Sequence, residues 1–192
     1  AAAPVAANGA SLNAKLNDHQ VYAMKTHPSD ALYLMSGFQD NATGASRGNL
    51  ASWKNLMAGD GAWPAFDKVT PGIHYTSWQF GSICRYPSAG STSPVFLTAG
   101  GWSTQFIAPY VVGGTGSQLY GGHDRVRRWN GVLATPTLWT DVTATVGGKI
   151  NSMVVAPTSN NAMYVGSTTG TIWRTSDGWA TEQQVDDANI DR

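Results

Sequence analysis

A repeat of 42 to 45 residues runs through most of this chain. Its clearest markers are tyrosines in short apolar runs, at successive spacings of 42, 45 and 44 residues: Tyr33, Tyr75, Tyr120 and Tyr164. Two further series keep the same phase, a proline before three of the tyrosines and an aromatic residue after three of them: Pro28, Pro71 and Pro157, then Trp53, Phe96 and Trp139. Three series in phase indicate a structural repeat.

A period in the forties without a helical pattern is typical of a β-propeller, in which each repeat folds into one four-stranded blade. Short runs bounded by Gly, Pro, Asn or Ser predict the strands. In the first repeat, Phe38–Gly44 is predicted as a polar turn between strands. The sequence therefore predicts an all-β fold, a propeller of about four four-stranded blades that form part of a larger ring. The regular aromatic residues are predicted to pack between blades.

The repeat divides the chain into segments. Residues 1–18 are expected to be a linker or an N-terminal extension, and 187–192 the start of a further strand. The four repeats between them are placed at about 19–61, 62–104, 105–148 and 149–186. The incomplete fifth repeat and the lack of an obvious closing strand before residue 19 favour the larger ring over a closed ring of four blades.

Composition excludes several classes of function. The chain has 11 Asp, one Glu and five Lys with zero net charge, so no basic field is available to hold a nucleic-acid backbone. No apolar run approaches the roughly 18 residues of a membrane span. Cys84 is the single cysteine and is predicted to be a buried strand residue. Low charge, with many Gly, Ser, Thr and Trp, favours a secreted or cell-surface protein.

One segment near the C-terminus resembles a known repeat. Arg174–Thr181 is similar to the Asp-box hairpin of sialidase-type (BNR) repeats, with Thr175, Asp177 and Thr181 on its pattern. Trp179 stands where glycine is usual. In that family the aspartate caps backbone N–H groups of a hairpin, so the resemblance implies a structural role for these three residues.

A second segment extends the resemblance. Ser36–Thr43 is similar to a Gly-Leu-Gln-Asp-Asn-Gly-Thr segment of sortilin-like and BNR-repeat β-propellers. Such proteins include sialidases, xyloglucan-cleaving enzymes, sorting receptors and photosystem assembly factors. The resemblance implies a propeller but does not choose among these activities.

The candidate site residues follow from the same loops. Xyloglucan-cleaving relatives use two aspartates in a cleft, and Asp40 and Asp60 are the matching candidates for an acid and a base. With Gln39 and Asn41 they form the predicted binding set. Asp40, Asn41 and Asp60 also offer the oxygen ligands that calcium takes, and no other cofactor is expected.

Sialidases are expected to carry an arginine triad and a Phe/Tyr-Arg-Ile-Pro motif, and that motif is absent from this sequence. We therefore expect an extracellular propeller module that binds a protein or a glycan, or serves in assembly, within a larger protein or complex. Further blades of the same protein are possible partners. The alternative is a glycoside hydrolase that uses the paired aspartates.

Overall fold

The computed structural model describes residues 19–91, 93–98, 102–115, 118–131 and 135–185. Four antiparallel sheets of four strands follow one another along the chain, and in each the strand order in space is the order in sequence. The first two sheets comprise β1 Val21–His27, β2 Asp30–Phe38, β3 Thr43–Arg47 and β4 Lys54–Met57, then β5 Ala65–Phe66, β6 His74–Trp78, β7 Ser82–Tyr86 and β8 Val95–Phe96.

The third and fourth sheets comprise β9 Tyr110–Val112, β10 Leu119–Gly122, β11 Val126–Trp129 and β12 Thr140–Asp141, then β13 Ile150–Val155, β14 Met163–Ser167, β15 Ile172–Thr175 and β16 Gln183–Gln184. The only helical turn in the described ranges is a 3-10 turn at Gln79–Gly81. The all-β prediction and the four four-stranded units are confirmed. The expected segments 1–18 and 187–192 lie outside the described residues.

One strand was missed by the sequence pattern. Thr43–Arg47, of which the first two residues were predicted to lie in a turn, is the third strand of the first sheet. Its register runs from Gly37 opposite Thr43 to Tyr33 opposite Arg47. The strand contains neither an aromatic nor a large aliphatic residue, so the strand is set by pairing with β2 and not by its own β-propensity.

Successive sheets pack face to face. Three hydrophobic clusters lie between the first and second, second and third, and third and fourth sheets; their central members are Tyr33 with Phe66, Tyr75 with Leu119, and Tyr120 with Met163. The first strands of successive sheets contact one another, β1 with β5, β5 with β9 and β9 with β13. This arrangement places the first strands at the centre of an arc and the fourth strands outside.

Strand register explains the tyrosine repeat. In each sheet the repeat tyrosine on the second strand lies opposite an arginine on the third: Tyr33 with Arg47, Tyr75 with Arg85, Tyr120 with Arg128, and Tyr164 with Arg174. The first three tyrosines are buried against the next sheet. Tyr164 is 46% exposed and no described sheet follows the fourth, so for this tyrosine inter-blade packing stays a prediction.

Cys84 is buried as predicted, and burial raises the pKa of its thiol to about 12.

His74 is buried too, facing the first sheet, with its ring stacked on Tyr86 at a centroid distance of 4.8 Å. Burial lowers the pKa of His74 from 6.5 to about 4. The folded protein therefore holds this imidazole neutral at a pH where the unfolded chain already binds a proton.

This difference predicts a pH-dependent loss of stability. Between pH 6.5 and 4 the unfolded state binds more protons than the folded state at His74, so the free energy of unfolding falls as the pH falls. At about pH 4.5 the loss attributable to His74 is roughly 2 to 3 kcal/mol. We expect His74→Leu to remove this loss, and leucine is the residue that the third sheet has at the equivalent position. Urea denaturation at pH 7 and at pH 4.5 measures the free energy of unfolding of wild type and variant.

His74→Gln is the matched variant, because it also lacks a titrating ring but keeps a polar side chain. We expect the two variants to differ from each other in free energy of unfolding at pH 7. In both, however, the change in this free energy between pH 7 and pH 4.5 is smaller than in the wild type. If both retained the full wild-type difference, His74 would not be the source of the acid sensitivity.

Candidate functional site

One end of the sheets carries the candidate site. In a four-stranded meander, the turn between the second and third strands lies at the same end as the segment that leads into the next sheet. We call this end the loop face; its segments are 39–42, 58–64, 79–81, 102–109, 123–125, 142–149 and 168–171. The predicted residues Gln39, Asp40, Asn41 and Asp60 all lie on it.

Asp60 links three segments of the loop face. Its Oδ1 accepts a hydrogen bond from the backbone N–H of Asp40 at 2.6 Å, and its Oδ2 accepts one from Nε2 of Gln79 at 2.7 Å. The Asp60 side chain is buried, and Asp40 has a φ of 59°. The carboxylate of Asp60 therefore holds the β2–β3 turn in a left-handed conformation and ties it to the second sheet.

The other predicted residues lie on the turn that Asp60 supports. Asp40 and Asn41 are exposed, and the Asn41 side-chain amide donates to the carbonyl of Gln39 at 3.0 Å. The backbone N–H of Gln39 donates to the carbonyl of Gln20 at 2.9 Å. The structure thus brings the four residues together, with Asp40 and Asn41 at the surface and Asp60 beneath them.

Two glycines allow the backbone segments to meet. A Cβ atom on Gly37 would lie 1.9 Å from the carbonyl oxygen of Ala62, and one on Gly61 would lie 2.0 Å from that of Ala42. Neither separation is possible for real atoms. The segment between the first two sheets therefore packs directly, backbone on backbone, against the β2–β3 turn.

An aromatic pair lies beside this cluster. Phe80 is 59% exposed and adopts φ 59°, ψ 36°, and its N–H donates to the carbonyl of Phe106 at 2.8 Å. Phe106 is also exposed, and the two rings are perpendicular with centroids 5.3 Å apart. A phenylalanine in the left-handed region is a backbone outlier. Sequence reasoning missed both residues, because neither belongs to the repeat.

The third sheet contributes charged residues. Arg125 and Arg127 both donate to the carboxylate of Asp141, at 3.2 and 2.7 Å. His123 is buried with its Nδ1 2.5 Å from Asp124 Oδ1. Burial, with Arg127 nearby, lowers the pKa of His123 to about 4. These arginines are therefore neutralised within the third sheet and do not form a free cationic site.

The Asp-box-like turn lies at the opposite end, between β15 and β16. Asp177 accepts hydrogen bonds from the N–H of Thr181 at 2.9 Å, the hydroxyl of Thr181 at 2.6 Å and the hydroxyl of Thr175 at 2.8 Å. The Thr181 bonds lead the causes that lower the pKa of Asp177 to about 2. Trp179, with φ 73°, buries its side chain in the cluster between the third and fourth sheets.

The first strands line an open central cavity of about 410 Å³. Its walls come from β1, β5, β9 and β13 and the segments beside them, with Trp63, Phe66 and Tyr110 supplying aromatic surface and Lys25 and Lys68 supplying charge. In the described part of the chain, no group of three or more His, Cys, Asp or Glu side chains is arranged to hold a metal ion. No helix among the described residues is long and apolar enough to cross a membrane.

No family model matches the sequence, and no curated protein is similar to it. Solved structures are similar in fold. The crystal structure of an ancestral GH74 enzyme, AFV00434, matches with a TM-score of 0.65 and 14% identity over 86% of this chain and 25% of its own. That of the GH74 enzyme of Niastella koreensis matches with a TM-score of 0.62 and 18% identity over 84% of this chain and 28% of its own.

These matches assign the fold alone. The chain spans about a quarter of the length of either enzyme. Together with the four consecutive meander sheets, they identify the chain as a β-propeller module.

The close approach of Gly37 to the backbone of Ala62 leads to a prediction about stability. Gly37→Ala forces the end of β2 and the 58–62 segment apart, so we expect the free energy of unfolding to fall by about 3 kcal/mol or more. Gly72→Ala is the control, because its Cβ would have its nearest neighbour at 3.9 Å. Chemical denaturation checks both; equal stability of the two variants would contradict the close packing.

Proposed function

We propose that this chain is a propeller module of a secreted or cell-surface protein, belongs to a larger protein or complex, and binds a glycan on its loop face. The observation that carries the proposal is the pair Phe80 and Phe106. Two adjacent exposed phenylalanines, one in a costly backbone conformation, form an apolar surface that folding alone does not require.

The chemistry around the pair suits a sugar chain. An aromatic ring offers a flat apolar face to the C–H face of a pyranose, and polar groups beside it take the hydroxyls. Asp40 and Asn41 are exposed on the neighbouring turn, which Asp60 ties to Gln79, the residue before Phe80. The fold shared with two GH74 enzymes, glycoside hydrolases by class, favours a glycan over a protein ligand.

The remaining finer assignments are part of the same proposal. We assign the turn of Thr175, Asp177 and Thr181 as a degenerate Asp box, supported by the three hydrogen bonds that Asp177 accepts. Its place, at the end opposite the loop face, supports a structural role. Calcium at Asp40, Asn41 and Asp60 stays a prediction; both Asp60 oxygens are already engaged by protein donors.

The binding proposal predicts opposite effects of one substitution on stability and affinity. Phe80→Gly removes the ring and relieves the left-handed strain, so we expect unfolding free energy to rise by about 1 kcal/mol while affinity falls at least about tenfold. Thermal denaturation and calorimetric titration with xyloglucan and β-glucan oligosaccharides measure the two quantities.

Two controls accompany this test. Phe80→Ala loses the same ring but keeps a Cβ atom at positive φ, so its affinity loss matches that of glycine without the gain in stability. Phe96→Ala removes an exposed phenylalanine from the outer strand of the second sheet and leaves affinity unchanged. If oligosaccharide affinity were unchanged in the Phe80 variants, the ligand would bind elsewhere on the protein.

The hydrolase alternative makes a separate prediction. Because one Asp60 oxygen accepts from the backbone N–H of Asp40 and the other from the Gln79 side chain, we expect no release of reducing sugar from these oligosaccharides by this chain. If the chain does cleave them, Asp40→Asn must lower turnover by at least about a hundredfold for the aspartate pair to be the catalyst. Turnover that survived this substitution would eliminate the pair.

A further inference from the structure

An open pocket of about 390 Å³ lies between the third and fourth sheets, at the end opposite the loop face. The β9–β10, β13–β14 and β15–β16 turns form its rim, and Tyr120 and Arg128 of the third sheet also line it. Among the described lining residues the sole aromatic ring is that of Tyr120, which is 1% exposed, and the other side chains carry hydroxyl, amide or charged groups. The pocket therefore offers hydrogen bonds and charge, whereas the loop face offers exposed rings.

Hydrogen bonds between the turns hold the amide groups of this pocket in place. Oε1 of Gln118 accepts a hydrogen bond from Nδ2 of Asn160 at 2.9 Å and one from the hydroxyl of Tyr120 at 3.1 Å. Oδ1 of Asn160 accepts one from the backbone N–H of Thr115 at 3.2 Å. A ligand would therefore meet polar groups whose positions are already fixed, which lowers the entropy cost of binding.

Arg128 brings a positive charge that the described residues do not neutralise. It forms no ion pair in this part of the chain, and its Nε is buried without a hydrogen-bond partner. At the equivalent position of the first and fourth sheets, Arg47 pairs with Asp30 at 3.2 Å and Arg174 donates to Gln183 at 2.8 Å. Because a guanidinium without acceptors is costly to bury, Arg128 favours an anionic partner. A carboxylate has two oxygens that match the guanidinium fork.

We propose that this pocket binds a sugar acid of the hexuronate class, with its carboxylate on Arg128 and its hydroxyls on the amides of Gln118 and Asn160. The acid is either a free monosaccharide or one residue of an acidic glycan, since both present the same groups. The site lies at the opposite end of the sheets from Phe80. Binding here is therefore independent of glycan binding on the loop face.

Asp177 restricts the charge that the pocket accepts. Its carboxylate also lines the pocket, and its Oδ2 accepts a hydrogen bond from the hydroxyl of Thr181 at 2.6 Å. A carboxylate oxygen can accept a second hydrogen bond, so a sugar hydroxyl can donate to Oδ2. A second anionic group near Asp177 is repelled instead. We therefore expect a monoanion with hydroxyl groups to bind more tightly than inorganic phosphate.

The first test is calorimetric titration of the whole chain with sodium galacturonate and with galactose, two sugars that differ only at C6. We expect galacturonate to bind at least about tenfold more tightly than galactose, because only the acid gives Arg128 a charged partner. Inorganic phosphate is the third ligand and binds more weakly than galacturonate. An affinity for galactose or for phosphate equal to that for galacturonate would overturn the proposal.

Substitutions of Arg128 test the proposed contact. Arg128→Met removes the guanidinium but keeps an unbranched side chain, and we expect it to lower the affinity for galacturonate at least about tenfold. Arg128→Lys keeps the charge without the planar fork and gives an intermediate loss. Arg47→Met is the matched control, because it removes the equivalent arginine of the first sheet, which already has a carboxylate partner. It leaves the affinity unchanged.

A folded Arg128→Met variant with wild-type affinity for galacturonate would overturn the proposal. Phe80→Gly leaves this affinity unchanged, so a failure of the loop-face proposal is distinguishable from a failure of this one.

Nuclear magnetic resonance of the wild-type protein locates the ligand even if the Arg128 variants do not fold. On titration with galacturonate, the side-chain amide signals of Gln118 and Asn160 shift, whereas that of Gln79 on the loop face does not. A shift confined to Gln79 would show that the acid binds on the loop face, and the proposal would fail. Trigalacturonate separates the two sources of the ligand: an affinity at least about tenfold above that of galacturonate indicates an acidic glycan, and an equal affinity indicates a free acid. Both results support the site.

Discussion

The structure depends on one constraint, which is that each four-stranded sheet has side chains to bury on both faces. The repeat tyrosine meets this need on one face and the residue before it on the other, since successive side chains of a strand point to opposite sides. Tyr75, for example, packs towards Leu119 of the next sheet while His74 packs towards Tyr33 of the previous one. The face-to-face packing of successive sheets follows from this alternation, while the meander topology places the loops at a common end.

That rigid stack can carry strain at its loop face. Asp40, Ala42 and Phe80 all have positive φ, and such residues cost free energy that surrounding contacts must offset. At Asp40 the offset is visible as the bond to Asp60, and at Phe80 as the bond to Phe106. Strain at Asp40 serves the junction of two sheets. At Phe80 the strained backbone presents an exposed ring, so a role in binding explains this conformation better than a role in folding.

The repeat in the sequence was sufficient for the architecture, because one aromatic residue per blade in a fixed register is a long-range signal. It failed for β3, whose strand is set by pairing with β2. At the site, the sequence was enough to choose Asp60 as a loop aspartate. It did not predict which hydrogen-bond donors contact the two carboxylate oxygens. The exposed, left-handed conformation of Phe80 could not be predicted, since it depends on contact with Phe106, 26 residues away.

The two faces of a sheet also differ in how much they vary. On the second strand, the residue on one face is tyrosine in all four sheets, whereas the residue before it, on the other face, is Leu32, His74, Leu119 or Met163 in turn. A constant ring therefore meets a different shape at each interface, and each interface is completed by different neighbours, such as Phe66 at the first and Trp129 at the second. Since close-packed surfaces tolerate small changes in volume poorly, such variation can specify which sheet follows which. At the three described interfaces, any preference for one neighbouring sheet over another therefore comes from the varied residues, since the tyrosine is the same in each.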